Sequence, residues 1–329
     1  MNFLQKKFGT PTLVKFESAN DSGGRAQPAQ PLLSVEAEVE AMRYENLDVE
    51  LDTEARTFWL HMRQQGRGSF TTPLMHDVSH VQRSIRRMFA ERAHEPKKPF
   101  DYFVFASRYP GIYNLGGDLG HFAQKIRARD LAALRQYGHT AVEAIYQNHI
   151  AFDTPVVTMA LVQGDALGGG FECALSLDMI IAEKSAKMGL PEVLFNLFPG
   201  MGAYSFLSRR LDAVRAEKMI LSGKIYTAEE LHEMGIVDVL AEDGMGEEAA
   251  REYIDRHAYR HNAYRSVFQA RRKVNPVTLE ELRDVVDLWA EAALNLGESD
   301  LRKMDRLVAA QDRRCAAINA ASMAALSAE

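Results

Sequence analysis

Two glutamates and a run of glycines are the features of this sequence best suited to chemistry. Glu172 follows the glycines at 168–170, and Glu192 follows Pro191 about twenty residues later. Both have mostly apolar neighbours in the chain, and desolvation raises a carboxyl pKa into the range where protons move readily near neutral pH. Taken singly, each has a simpler explanation: Glu172 as a helix-dipole cap and Glu192 as a surface residue.

The glycine run suggests what the carboxyl groups could act on. An apolar segment at 156–162 leads through Gly164 into Gly168, Gly169 and Gly170, where a helix is predicted to begin. Glycines let a backbone approach a ligand closely, and a helix N-terminus adds about half a positive charge. Together they suit an anion or a developing oxyanion. A tight strand-to-helix turn explains the glycines alone equally well.

Several other chemistries are disfavoured by the motifs. No lysine follows the glycines as a phosphate loop requires, the dinucleotide pattern G-x-G-x-x-G is absent from this segment, and G-x-S-x-G does not occur. His76 and His80 have the i, i+4 spacing of a zinc site on a predicted helix. Asp77 replaces the glutamate of that motif and no third ligand suggests itself, so solvated histidines are the favoured interpretation.

Hydrophobic spacing predicts the elements that must position these residues. Short alternating segments between 47 and 60 predict a hairpin or meander. Beyond them, strands alternate with helices, which predicts parallel βαβ units. The last third is predicted to be nearly all helix, with apolar faces that packing on a partner subunit or on the chain's own core explains equally well. The predicted helices are 74–92 and 130–150, and the predicted buried strands are 102–106, 156–162 and 179–182.

Composition narrows the class of protein. The chain has 329 residues, 47% of them hydrophobic, and a net charge of −6, which gives no basic footprint for nucleic acid. No apolar run reaches the ~18 residues of a transmembrane helix. The chain has only two cysteines, Cys173 and Cys315, so a disulfide framework is not expected. This favours a cytoplasmic protein. Residues 1–45 are rich in helix breakers and predict a flexible or loosely packed extension.

Four motifs follow one another along the chain: 113–119 (YNLGGDL), 166–172 (ALGGGFE), 188–192 (MGLPE) and 198–203 (FPGMGA). In this order they resemble the crotonase (enoyl-CoA hydratase/isomerase) superfamily, over residues 46–315. This resemblance implies an α/β fold: a spiral of ββα turns at 46–240, followed by a helical trimerisation region at 241–329.

The resemblance also implies a site. The thioester carbonyl would be held by the backbone N–H groups of Leu115 and Gly169, while Glu172 and Glu192 move protons at the α and β carbons. No metal and no cofactor is expected, and the substrate would be a thioester of coenzyme A or of acyl carrier protein. The residues expected to contact substrate are Gly116, Gly168, Gly170, Gly200 and Met201.

Further details resemble one branch, the diffusible signal factor synthases of bacterial quorum sensing. They include 190–195 (LPEVLF), 197–206 (LFPGMGAYSF) and 304–308 (MDRLV). This implies a dehydratase and thioesterase that converts a 3-hydroxyacyl-[acyl carrier protein] to a free cis-2-unsaturated fatty acid. It implies a homotrimer or a dimer of trimers, with a possible regulatory protein partner. Ordinary hydratases usually carry a smaller residue at Leu115 and an Asn-Ala-Leu loop near 70–73, and both are absent here.

Two alternatives remain open. One is an enoyl-CoA hydratase or isomerase of fatty-acid metabolism. The other is a non-catalytic regulatory binding protein, which the presence of both glutamates argues against, since a silent scaffold has no use for two carboxyl groups facing an apolar pocket.

Overall fold

The computed structural model describes residues 32–63 and 66–326. Most of the predicted extension, residues 1–31, lies outside these. Everything below concerns the compact unit Ser34–Glu329. A short helix in it, α1 (Val35–Glu40), begins at the N-cap Ser34 and buries Val39. Part of the segment predicted as an extension therefore packs on the core, while the predicted domain boundaries stay a prediction.

Within the described residues, ten strands form two sheets. The larger sheet has the order β1-β2-β3-β5-β7-β10, and the smaller has the order β4-β6-β8-β9. The strands are β1 Leu47–Asp52, β2 Thr57–Met62, β3 Tyr102–Ser107, β4 Ile112–Asn114, β5 Val157–Val162, β6 Asp165–Leu167, β7 Met179–Glu183, β8 Lys187–Gly189, β9 Ile225–Thr227 and β10 Val239–Ala241.

The pairing confirms the predicted hairpin and the parallel units. β1 pairs antiparallel with β2, while β2, β3, β5, β7 and β10 run parallel to one another. β5 is buried at every position, as expected for a parallel strand covered on both faces. In the smaller sheet, β6 pairs with both β4 and β8, so the loops that follow these strands emerge side by side. The glycine loop before Glu172 and the loop that carries Glu192 therefore lie next to each other.

Helices cover the sheets and supply most of the C-terminal third. The predicted helices at 74–92 and 130–150 are confirmed with small shifts at their ends. Those two are α2 and α4 in the list of helices that follow α1: α2 Thr72–Glu91, α3 Leu119–Arg127, α4 Leu131–His149, α5 Gly169–Ser176, α6 Ala203–Arg210, α7 Ala213–Ser222, α8 Ala228–Glu233, α9 Gly246–His257, α10 His261–Val274, α11 Leu279–Ala293 and α12 Glu298–Leu326.

The apolar face of α11 packs on the chain's own core. Leu282, Val286 and Trp289 are buried, and α11 lies against α4. The contact is close because Gly138 of α4 has no side chain: a Cβ there would come within 2.4 Å of a Val286 methyl. None of the helices in the described part of the chain combines the length and apolar character needed to span a bilayer.

Candidate active site

Glu172 and Glu192 line the same cavity, of about 290 Å³, although they belong to different elements. Glu172 lies in the first turn of α5, directly after the glycines. Glu192 lies in the 3₁₀ turn Pro191–Phe195, where the proline occupies the first turn and suits its fixed φ. The pairing of β6 with β8 brings these two loops together.

Glu172 is 1% exposed and is held by two backbone donors. Its Oε1 accepts hydrogen bonds from the N–H groups of Met201, at 2.7 Å, and Ala203, at 2.9 Å. These donors belong to the FPGMGA segment and to the start of α6, whose dipole also favours negative charge. Burial raises the pKa of Glu172 to about 7, while the two N–H groups oppose that rise.

Glu192 has weaker support for a negative charge than Glu172 has. Its Oε2 is buried and accepts no hydrogen bond within the described residues. Burial, and after it the charge of neighbouring Glu172, raise the pKa of Glu192 to about 8, while its own backbone N–H opposes that rise. Near neutral pH the pair therefore favours a proton on Glu192 and a negative charge on Glu172. One base and one acid in a single cavity can move two protons in one reaction.

The glycines let these elements approach one another. A Cβ on Gly168, which has φ +51°, would come within 2.4 Å of Glu192 Oε1. One on Gly169 would meet Met201 Sδ at 2.5 Å, and one on Gly170 would meet Asn114 O at 2.1 Å. The glycine run is therefore required by packing between protein segments.

The predicted substrate contacts occupy different places. Gly116, Gly168, Gly200 and Met201 line the cavity, and a contact between them and substrate stays a prediction. Gly170 was also expected to contact substrate, and this expectation needs correction. It does not line the cavity, because it lies behind the loop against the backbone of Asn114.

The two predicted oxyanion donors differ in their present partners. Gly169 is the first residue of α5, so its N–H has no acceptor inside that helix. Leu115 also lines the cavity, but its N–H donates to Gly68 O at 2.6 Å. Without substrate the Leu115 N–H is therefore paired within the protein, and its bond to a thioester carbonyl stays a prediction. The loop of Leu115 nevertheless lies next to Gly169: a Cβ on Gly116 would be 3.0 Å from Gly169 N.

Much of the cavity wall comes from helices whose sequences carry none of the four motifs. Trp289, for example, lies on one of the helices predicted with apolar faces in the last third of the chain. No local pattern distinguishes such residues from ordinary core, so the sequence offered no signal for them. They are Phe122 of α3, Tyr137 of α4, Trp289 of α11, and Leu307 and Gln311 of α12.

Ion pairs hold α12 over the site. Arg67, which also pairs with Asp118 just after Leu115, bonds Asp312 of α12, and Arg314 of α12 bonds Asp165 at 2.6 Å. Cys315 is buried in the same small cluster as Leu115. The apolar cavity is therefore covered by the last helix.

A second, much smaller cavity, of about 10 Å³, adjoins the first. Met201 lines both, and the second is otherwise walled mainly by apolar side chains such as Phe70 and Met75. The Met201 side chain thus lies between the larger cavity and the smaller one.

The histidine pair does not form a metal site. His76 and His80 are exposed on α2, and His80 Nδ1 lies 2.7 Å from the Tyr44 hydroxyl. Within residues 32–63 and 66–326, no three His, Cys, Asp or Glu side chains are grouped so as to hold a metal ion.

Comparison with known proteins gives consistent matches. The model of the enoyl-CoA hydratase/isomerase family matches residues 91–287. The chain is 31% identical over 209 residues to the 2,3-dehydroadipyl-CoA hydratase of Escherichia coli K12, covering 64% of this chain and 73% of that one. It is 28% identical over 224 residues to the mitochondrial methylglutaconyl-CoA hydratase of Rattus norvegicus, covering 63% of this chain and 65% of that one, just under two thirds of the relative's length.

Solved structures with the same fold include human mitochondrial delta3-delta2-enoyl-CoA isomerase, with a TM-score of 0.66 and 17% identity, covering 82% of this chain and 99% of that one. Another is Pseudomonas aeruginosa DspI, with a TM-score of 0.57 and 26% identity, covering 74% of this chain and 95% of that one. The crotonase-like α/β fold with a C-terminal helical region is thereby confirmed.

Proposed function

The chain belongs to the enoyl-CoA hydratase/isomerase family, and from that premise we propose that it catalyses the reversible addition of water to the C2–C3 double bond of an enoyl thioester. The observation that supports this proposal most strongly is the unequal pair of carboxyl groups in one apolar cavity. Two N–H donors stabilise a negative charge on Glu172, whereas Glu192 has none at Oε2.

In the proposed hydration, the Glu172 carboxylate takes a proton from water while the water oxygen bonds to C3. The π electrons of the C2–C3 bond move toward the thioester, forming an enolate. Glu192 then gives its proton to C2, and the enolate returns to a thioester. Glu172 is left protonated and Glu192 ionised, and a proton transfer between them or through solvent restores the pair. Dehydration of a 3-hydroxyacyl thioester is the same sequence in reverse.

The enolate oxygen would be bound by the N–H groups of Gly169 and Leu115. Each such donor contributes about 3–4 kcal/mol of transition-state stabilisation in comparable sites. For Leu115 to take part, the thioester carbonyl must replace the Gly68 carbonyl as the acceptor of its N–H. Because one carbonyl replaces another, the exchange leaves no buried donor unpaired at Leu115.

The test is a hydratase assay on a purified enzyme, followed as the loss of enoyl-thioester absorbance with crotonyl-CoA as substrate. We expect turnover by the unaltered protein and a fall of about 10²–10⁴-fold in kcat for either Glu172→Gln or Glu192→Gln. Turnover that survives both substitutions would refute the assigned roles. Complete inactivity of the unaltered protein toward crotonyl-CoA and longer enoyl thioesters would refute the proposed reaction.

A second candidate is the dehydratase and thioesterase acting on a 3-hydroxyacyl-[acyl carrier protein]. It is favoured by the segment Gly68–Phe70, which contacts the Leu115 loop where ordinary hydratases usually carry their Asn-Ala-Leu loop. In this reaction the same donors would hold the tetrahedral oxyanion formed when water attacks the thioester. Incubation with 3-hydroxyacyl carrier protein distinguishes the two: release of a free cis-2-unsaturated acid supports the second candidate, and hydration of crotonyl-CoA without acid release excludes it.

The predicted homotrimer or dimer of trimers, the carrier protein, a regulatory protein partner and the cytoplasmic location are part of this proposal. The non-catalytic alternative remains testable with the same variants. It requires Glu172→Gln and Glu192→Gln to leave the protein's biological output unchanged.

A further inference from the structure

Tyr137 joins the two backbone segments that meet at the proposed oxyanion donor. Its hydroxyl accepts a hydrogen bond from the N–H of Asp118, at 3.2 Å, and donates one to the carbonyl oxygen of Phe70. Asp118 lies three residues after Leu115, and Phe70 lies two residues after Gly68. Phe70 N–H also donates to Gly116 O at 2.7 Å, so the segments are paired along their length.

We propose that Tyr137 is a positioning residue whose hydroxyl holds the Leu115 loop in register with Gly169, so that their two N–H groups converge on one thioester oxygen. This inference rests on the proposed function. It goes beyond that proposal because neither the sequence motifs nor the carboxyl pair indicates a role for a residue of α4.

The surroundings of Tyr137 leave its ring little freedom. The side chain is 5% exposed, and its ring meets Phe122 edge-on, with centroids 4.8 Å apart. The hydroxyl is also close to the loop itself, since a Cβ on Gly117 would be 3.7 Å from it. A rigid ring that carries one hydroxyl to two backbone groups sets the distance between those groups.

A catalytic role for Tyr137 itself fits the contacts less well. The hydroxyl proton is donated to Phe70 O, and an oxygen lone pair accepts from Asp118 N–H. Burial also raises the pKa of this hydroxyl, which keeps it protonated. The group is therefore committed to backbone partners and has no proton available for substrate.

The same geometry explains how Gly68 could yield to substrate without collapse of the loop. Phe70 is held twice, through its N–H by Gly116 and through its carbonyl by Tyr137. The Gly68 carbonyl can therefore leave Leu115 by a local movement of residues before Phe70, while the Leu115 loop stays in place.

The test compares Tyr137→Phe, which keeps the ring and removes only the hydroxyl, with Tyr102→Phe. Tyr102 is equally buried but packs against His261, among residues on the opposite face of the larger sheet. The measurements are kcat and KM for an enoyl thioester, and the absorption maximum of a bound aryl-acryloyl thioester, which moves to longer wavelength when its carbonyl is polarised by the oxyanion donors.

We expect Tyr137→Phe to lower kcat about 10- to 100-fold, with KM changed less than threefold, because misplaced donors weaken transition-state binding more than ground-state binding. The red shift of the bound chromophore should shrink, and Tyr102→Phe should retain both properties. A folded Tyr137→Phe variant with the full red shift and unchanged kcat would overturn the inference.

If Tyr137→Phe does not fold, 3-fluorotyrosine at position 137 keeps the shape and alters the hydroxyl's donor strength. A changed red shift then supports the inference, and an unchanged one overturns it. Failure of the proposed function has a different signature: the unaltered protein would neither turn over enoyl thioesters nor shift the chromophore.

Discussion

Replacing Glu192 by glutamine should lower activity while making the protein more stable at high pH. The amide mimics the protonated carboxyl group, which is the form that the buried site favours. In the unfolded chain this carboxyl has an ordinary pKa of 4.5, and in the folded protein burial and the charge on Glu172 raise its pKa to about 8. Between pH 4.5 and about pH 8, the folded state therefore retains a proton that the unfolded state has released.

The sign follows from proton linkage. A carboxyl group whose pKa is raised by folding leaves the free energy of unfolding unchanged below its unfolded pKa, because it is protonated in both states. Above pH 4.5 it lowers the free energy of unfolding increasingly, and this effect levels off above the folded pKa. At about 1.4 kcal/mol per pH unit, the free energy of unfolding of the unaltered protein should fall by about 2 kcal/mol between pH 6 and pH 8 through Glu192 alone. Glutamine removes this contribution.

The measurement is urea unfolding of the unaltered protein and Glu192→Gln at pH 6 and pH 8, with Glu233→Gln as control. Glu233 lies exposed at the end of α8. We expect the stability of Glu192→Gln relative to the unaltered protein to increase by about 2 kcal/mol between the two pH values, while Glu233→Gln shows no such trend. A difference that is the same at both pH values would refute a proton held on Glu192 by burial.

Three further outcomes follow from the same geometry. Glu172→Gln should keep the fold, because an amide oxygen can still accept from Met201 and Ala203, while hydratase kcat falls about 10²–10⁴-fold; a loss of secondary structure in circular dichroism would contradict this. Gly170→Ala should lower the free energy of unfolding in urea by about 3 kcal/mol or more, since its Cβ would lie 2.1 Å from a backbone oxygen. Gly297→Ala is the control: its Cβ would meet nothing closer than 3.9 Å, so the free energy of unfolding should fall far less. Met201→Ala should join the two cavities and move the preference toward longer acyl chains, measured as kcat/KM across a chain-length series; an unchanged profile would show that Met201 does not limit chain length.

The elements and the chemical loops were predictable because their signals are local. Helix and strand periods lie within single segments, and the hairpin, the buried parallel strands and the two long helices all appear where hydrophobic spacing places them. Glu172 and Glu192 could be paired because family motifs mark both. Close packing around residues 168–170 was also predictable, because a run of glycines indicates that another group lies close to the backbone.

Other features required the folded chain. The N–H donors of Glu172 come from residues 29 and 31 positions later in the sequence. Leu115 could be named as a donor from its motif, but its bond to Gly68 could not, because that bond joins residues 47 positions apart. Gly170 was expected to contact substrate and instead contacts Asn114, since only packing decides which side of a loop faces the cavity.

The sequence by itself therefore determined which residues could transfer protons, and which loops carry them. The tertiary structure decided the difference between the two glutamates. A carboxyl group's pKa depends on how completely water is excluded and on which dipoles point at it. Those dipoles belong to segments distant in the chain, and Tyr137, Trp289 and α12 enclose the site from helices whose local sequence looks like ordinary core.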